Sequence, residues 1–479
     1  MAKTLYFYDL ETTGFSASEA RIMQFAGQRT SLDLKPIGEP HNILIKLSPD
    51  ILPDPGAILL TGITPQQTLL DGINEADFLK LFHKEIVNDE TIFVGFNSVR
   101  FDDEFMRYLH YRNFYDPYEW QWRDGRGKWD LLDVVRMTRA LRPEGINWPI
   151  VDGKPSNRLE LLTKENNISH DGAHDALADV EALIDLGRLI RKHQPKLFDF
   201  LLSIMVSKEN IKQLINSNQP FVYTSGKYSD EFEKTTLVAK LVDHPKRQGT
   251  LVFDLRFDPK EYENLSVDEL VEAWYPEDKN TPKLPIKALL YNRCPAIAPY
   301  SVFDEDSQKR IKLTKETVDN NYKNLRGLDQ DFTKKILQAL DKLDKAQDAK
   351  YSKKEVGVDS MLYDGFFEPI DKQNMDIVRS TSPSELVSLA INFKDKRLNK
   401  LLPLYKARNF PKSLSGEEIE EWEKYRTKYL FSGDENSKAA IFYKKLDEFS
   451  KMPELSNDKK YIIEELKLYA ESIMPTPDY

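Results

Sequence analysis

One cysteine, Cys294, stands in 479 residues, so no intrachain disulfide framework can hold this chain together. So little sulfur suits a reducing cytosol, and a lone cysteine of this kind is expected to serve as a small buried hydrophobe. Nowhere does an apolar run approach the roughly 18 to 20 residues that a membrane helix requires, and the N-terminus lacks the basic-then-apolar pattern of a signal peptide. No membrane partner is expected, and the expected location is the cytoplasm. Positive charge is also in deficit: 68 Lys and Arg against 78 Asp and Glu leave a net charge of −10. That sign excludes a protein that coats nucleic acid by bulk electrostatics, while leaving room for an enzyme with a narrow basic groove. Internal repeats and low-complexity tracts are lacking as well.

What is present is ordinary globular material, 40% hydrophobic and 30% charged, in a length that holds about three domains. Residues 1–195 alternate apolar runs with helix-like stretches, in the manner of an α/β domain. Thr91 to Phe96 reads as a buried strand, followed by a helix carrying Phe101, Phe105 and Leu109; Leu131 to Leu141 and Ala176 to Ile190 supply further helices. Residues 196–352 change texture. Four strand-like runs around Phe221, Thr236, Thr250 and Lys287 precede a charged helical stretch, which predicts a small β-rich domain with helical additions. Residues 353–479 read as helical, with a capping box at Ser415 and Glu418 and a stripe of Ile462, Leu466, Tyr469 and Ile473.

The chemistry begins at Leu5-Tyr-Phe-Tyr-Asp9-Leu-Glu11-Thr-Thr-Gly14. Side chains alternate along a strand, so Asp9 and Glu11 point to one face, where two acids repel unless a cation sits between them. Magnesium or manganese, which prefer oxygen ligands, would serve. Asp102 opens the helix after the second strand-like run. Ala173-His174-Asp-Ala-Leu-Ala-Asp179 adds a histidine and a fourth acid. A spacing of five turns two helical side chains about 140° apart, so His174 is expected just before the first turn and Asp179 inside it. That separates a mobile base from a fixed metal ligand. Two metal ions about 3.5 to 4 Å apart activate a water and stabilise a leaving oxygen in phosphodiester hydrolysis. A histidine of ordinary pKa near ~6.5 takes the water's proton around neutral pH.

Taken together, Asp9 and Glu11 in DLETTG, Asp102 in NSVRFDDE, and His174 with Asp179 in AHDALAD resemble the three exonuclease motifs of the DEDD superfamily, in its histidine-bearing branch. Arg112 to Tyr118, Trp129 to Val134, Ala140 to Pro149, Leu362 to Phe367, Asp395 to Arg397 and Tyr405 to Pro411 are similar to bacterial enzymes of the exodeoxyribonuclease I family, over almost the whole chain. The resemblance implies a ribonuclease H-like exonuclease domain with a mixed sheet (1–195), an SH3-like β-rich domain (196–352) and an α-helical domain (353–479). It further implies removal of 5′-mononucleotides from the 3′ end of single-stranded DNA, in DNA repair and recombination, with two Mg2+ ions (Mn2+ as substitute). Asp9, Glu11, Asp102 and Asp179 would be the metal ligands and His174 the base. Association with the single-stranded DNA-binding protein and a monomeric state are also implied.

Between Tyr111 and Trp122, six aromatic residues interleave with arginines. Stacked rings and phosphate-binding arginines hold single strands without sequence preference. About half of the rings are expected in the core, with Tyr118 and Trp122 on the surface and Arg107 beside them. Arg136 and Arg158 match family positions that contact nucleic acid, and Glu11 borders the substrate. Two rival readings remain open at this point, an exoribonuclease of the same superfamily and a catalytically silent DNA-binding clamp. Asp103 and Glu104 compete with Asp102 as the third acid; the acid directly after Phe101 is taken.

Overall fold

The computed structural model describes residues 3–170, 175–276, 283–351, 357–453 and 455–475. By their contacts the residues fall into two units, the first comprising Met1–Arg126, His170–Glu181 and Val356–Tyr479, the second Gly127–Ser169 and Ala182–Glu355.

In the first unit β1 (Thr4–Thr12), β2 (Ile22–Thr30), β3 (His41–Leu44) and β4 (Thr91–Gly95) lie in the order β3-β2-β1-β4. β1 runs antiparallel to β2 and parallel to β4, so the sheet is mixed. Leu5 to Tyr8 are all buried, as befits a strand covered on both faces. Tyr6, Tyr8, Phe25, Phe78, Phe82, Phe93 and Trp120 form one aromatic core. Gly27 of β2 is required by that core, because a Cβ there would lie 2.4 Å from Tyr6 Cε1.

A histidine pair, His110 buried and His83 half-buried, packs against Phe82 of the same core. His83 Nε2 and His110 Nε2 are 3.1 Å apart, and His110 Nδ1 donates to the Met106 carbonyl at 2.6 Å. Burial, and for His83 the neighbouring His110, push both rings well below the ordinary 6.5. Each ring stays neutral in the fold but takes up a proton near ~6.5 when unfolded. Below that pH the unfolded chain binds more protons, so stability falls by about 1.4 kcal/mol per pH unit for each ring. The urea midpoint is therefore expected to drop between pH 7 and 5, and His83→Phe is expected to flatten part of that slope. An unchanged slope in the variant would contradict the assignment.

Helices finish the first unit: α1 (Asp102–Arg112), the first turns of α2 (Ala176–His193), then α3 (Pro369–Ser380), α4 (Lys396–Asn409), α5 (Gly416–Phe431), α6 (Lys438–Ser450) and α7 (Asn457–Ile473). Ser415 and Glu418 form the expected capping box at the start of α5. The stripe of Ile462, Leu466, Tyr469 and Ile473 on α7 packs with Met23, Leu47 and Ile58 from the start of the chain. A buried ion network lies in the same unit. Arg408 of α4 binds Asp50 at 2.8 Å and Asp359 at 2.7 Å, and Arg21 reaches Asp359 at 3.2 Å. Burial alone would raise Asp50 and Asp359, yet Arg408 and Arg21 outweigh it and hold both carboxyls below the usual range.

In the second unit β5 (Phe221–Thr224), β6 (Thr235–Asp243), β7 (Gly249–Asp254), β8 (Ile286–Leu290) and β9 (Ala296–Pro299) form an antiparallel sheet in the order β8-β7-β6-β5-β9. Four of these strands match the sequence reading. The fifth, β9, follows Cys294, whose φ of 46° turns the chain back along β5. Cys294 is buried, as expected of it. Helices Leu131–Leu141, Pro195–Met205, Lys208–Ile215, Lys315–Gly327 and Gln330–Tyr351 accompany the sheet. Among the described residues no helix is long and apolar enough to cross a membrane.

Candidate metal centre

The alternation of β1 turns Asp9 and Glu11 to one face of the sheet, both half-buried between buried Tyr8, Leu10 and Thr12. Asp179 joins them from the first turn of α2. Each of the three offers a carboxylate oxygen, and these oxygens all lie within 4.8 Å of one another. Such crowding is electrostatically costly. Burial and then the charges of Asp102, Asp179 and Glu11 raise Asp9 well above the carboxylate range. Burial, Asp179, Asp102 and Asp175 push Glu11 up to about 8. A divalent cation would remove that repulsion, and an all-oxygen donor set fits hard cations of the Mg2+ or Mn2+ type.

Asp102 is 4% exposed and is the acid of its trio whose charge acts on Asp9 and Glu11. Its neighbours have other duties. Asp103 accepts from Tyr8 Oη at 2.7 Å and from Gln121 Nε2 at 2.6 Å. Glu104 pairs with Arg107 at 2.5 Å and accepts from the Tyr363 hydroxyl. The hydrogen bonds of Asp103 help anchor the start of α1 to β1, beneath the acid that faces the cluster.

Two residues that sequence reasoning missed hold α2 in place. Asp175 caps the helix, its Oδ1 accepting from the backbone N–H of Leu177 at 3.1 Å and of Ala178 at 3.2 Å. Gln24, the β-ladder partner of Glu11, donates to Asp175 Oδ2 at 3.1 Å and accepts from the Ala176 N–H at 3.2 Å. The Asp175 cap was readable as an acid before a helix; the grip of Gln24 across 151 residues had no local signal. His174 lies outside the described residues. The described histidine at this acid cluster is His170, whose Nε2 is 2.5 Å from Asp179 Oδ1.

Residues 6–186 match the exonuclease family, residues 206–342 the Exonuclease I SH3-like domain and residues 356–473 the Exonuclease I C-terminal domain. Exodeoxyribonuclease I of Escherichia coli is 40% identical over 430 residues, which cover 88% of this chain and 89% of that protein. This chain belongs to the exodeoxyribonuclease I family. Exonuclease I from Methylocaldum szegediense has the same fold, with a TM-score of 0.91 at 37% identity over 99% of this chain and 100% of that one. A zinc-bound complex of E. coli exonuclease I with single-stranded DNA gives a TM-score of 0.90 at 36% identity, over 99% and 100% of the two chains. An SSB/exonuclease I structure with an inhibitor gives 0.88 at 36% identity, again over 99% and 100%. As an exodeoxyribonuclease I family member, the chain combines an exonuclease domain with SH3-like and helical C-terminal domains.

The aromatic segment of this exodeoxyribonuclease I relative divides between core and surface. Tyr111, Phe114 and Trp120 are buried, whereas Trp122 is 59% exposed. Tyr118 is half-buried, with the Arg107 guanidinium 5.8 Å from its ring centre and the exposed Phe366 ring 6.0 Å away. Arg107 itself is largely covered and committed to Glu104, and Arg112 is buried against Glu75 at 2.9 Å. In the second unit Arg136 pairs with Asp133 at 2.6 Å, and Arg158 is exposed at the start of helix Leu159–Glu165.

Proposed function

We propose that the chain hydrolyses single-stranded DNA from its 3′ end, releasing 5′-mononucleotides, with Mg2+ as the natural cofactor and Mn2+ as a substitute. The observation that carries this reading is the cluster of Asp9, Glu11 and Asp179 oxygens within 4.8 Å, with Asp102 beside it, in an exodeoxyribonuclease I framework. Asp9, Glu11, Asp102 and Asp179 would hold two cations. Bound there, divalent cations neutralise charge that develops on the phosphodiester and favour ionisation of the attacking water. The chain's own part is to fix the ligands through Gln24, Asp175 and the Tyr8–Asp103 bond, and to accept the water's proton at the imidazole of His174.

Glu11, Arg107, Tyr118, Trp122, Arg136 and Arg158 are assigned to the strand, with exposed Trp122 as a stacking platform and Arg158 as a phosphate contact. Arg107 contributes through its charge over the Tyr118 ring, because its guanidinium is already committed to Glu104. The domain division proposed is 1–195, 196–352 and 353–479, for a monomeric cytoplasmic protein that associates with the single-stranded DNA-binding protein. A pull-down that fails to recover the single-stranded DNA-binding protein with this chain would count against that association.

The deciding experiment offers matched 5′-labelled oligonucleotides as single-stranded DNA, duplex DNA and RNA, with Mg2+ and with EDTA. Stepwise shortening of single-stranded DNA from the 3′ end, only with Mg2+, is expected. Faster decay of RNA would overturn the substrate assignment, and no cation-dependent shortening would favour the silent clamp.

A further inference from the structure

Asp179 is anchored to α2 at its backbone, where its N–H donates to the Asp175 carbonyl at 3.0 Å. Backbone anchoring leaves two soft side-chain torsions, which set where the carboxylate oxygens point. That carboxylate stands with Asp9 and Glu11, their ligand oxygens within 4.8 Å, and can share a cation with them only in one rotation. Something must hold it in place. His170 Nε2 lies 2.5 Å from Asp179 Oδ1, and the two side chains are 7% and 17% exposed.

We infer that His170 is a positioning residue for the cation site: its Nε2–H donates to Asp179 Oδ1 and fixes the rotation of that carboxylate toward Asp9 and Glu11. This rests on the reading of the acid cluster as a metal centre. An imidazole N–H suits the task better than an ammonium or guanidinium would. It supplies a directional hydrogen bond without the obligatory positive charge that would compete with the cation for Asp179. The role differs from that of a base, because the Nε2 atom is committed to a ligand of the metal.

The test is Mn2+ titration of the chelator-stripped full chain, read by electron paramagnetic resonance, alongside kcat and KM on a thymidine oligonucleotide. For His170→Ala, Mn2+ binding is expected to weaken about 10- to 100-fold, the usual cost of losing a partner behind a metal ligand. Its KM for the oligonucleotide should stay within about two-fold, since no substrate contact is lost, and excess Mn2+ should restore much of kcat. His170→Gln, whose amide N–H reaches to about the position of Nε2, is expected to return Mn2+ binding to within about three-fold of the parent chain. If the alanine variant does not fold, the glutamine variant alone decides, and binding weaker than that overturns the inference. Unaltered Mn2+ binding in His170→Ala also overturns it. So does loss of kcat with metal binding intact, which would make His170 the proton-moving group. Absence of Mn2+ uptake by the parent chain would instead sink the metal-centre reading itself, and this inference with it.

Discussion

Asp179→Ala is expected to lower single-strand hydrolysis by about 1000-fold or more, equivalent to about 4 kcal/mol of transition-state stabilisation, while leaving DNA binding within a few-fold. The asymmetry follows from the geometry. Asp179 supplies one of three carboxylate oxygens within 4.8 Å, so its loss opens the cation site, whereas the surface Trp122 and Arg158 are untouched. Single-turnover release of mononucleotides and fluorescence anisotropy of a labelled strand separate the two effects. A second signature accompanies the first. With Asp179 gone, its charge no longer raises Glu11, and the cation-free protein should melt at a higher temperature than the parent chain. The rise in melting temperature that Mg2+ gives the parent chain should shrink in the variant, because a ligand stabilises only what it binds. Retained turnover would remove Asp179 from the metal site.

Arg408→Met is expected to cost about 3 to 5 kcal/mol of stability, the range for breaking a buried ion pair from one side. The guanidinium is the shared partner of Asp50, which is fully buried, and of Asp359, 5% exposed. Taking it away leaves two buried carboxylates with Arg21 and, for Asp359, the more weakly acting Arg112 as nearby cations. Adding Asp50→Asn and Asp359→Asn to Arg408→Met should recover part of the loss, since the charges left bare are then removed. The first transition in urea, followed by tryptophan fluorescence, measures both. An Arg408→Met protein that unfolds at the parent midpoint would show the network to be dispensable.

Much of the acid cluster was legible locally. The period of two in β1 put Asp9 and Glu11 on one face, and the helix after β4 begins at Asp102, as the apolar stripe of Phe105 and Leu109 implied. Choosing Asp102 over Asp103 and Glu104 needed partners that spacing does not reveal, namely Tyr8, Gln121, Arg107 and Tyr363. The arginines were the least legible. Arg107 and Arg112 look alike in a basic aromatic segment, yet both are drawn into pairs with acids: Glu104, one turn earlier on the same helix, was within reach of spacing, whereas Glu75 is supplied to Arg112 only by the fold. Gln24 was missed because a hydrogen bond between distant segments leaves no periodicity, and His170 because it precedes the helix that carries Asp179, where helical spacing does not apply. Strand β9 escaped because it is four residues long and ends in Pro299. The C-terminal helices were legible as helices, but their packing against Met23, Leu47 and Ile58 was not.

The first unit is assembled from three separate stretches of chain, the last of them Val356–Tyr479. During synthesis, Asp9, Glu11, Asp102 and Asp179 therefore all leave the ribosome long before Arg408 and the α7 stripe exist. Until then Asp50 has no Arg408 to meet, and Met23, Leu47 and Ile58 have no helix to cover them. A nascent or prematurely terminated chain thus carries every acid of the cluster without the scaffold that stabilises it, and chaperones and proteases act on such exposed intermediates. The acids of the cluster thus lie ahead, along the chain, of the residues that complete their own unit's core.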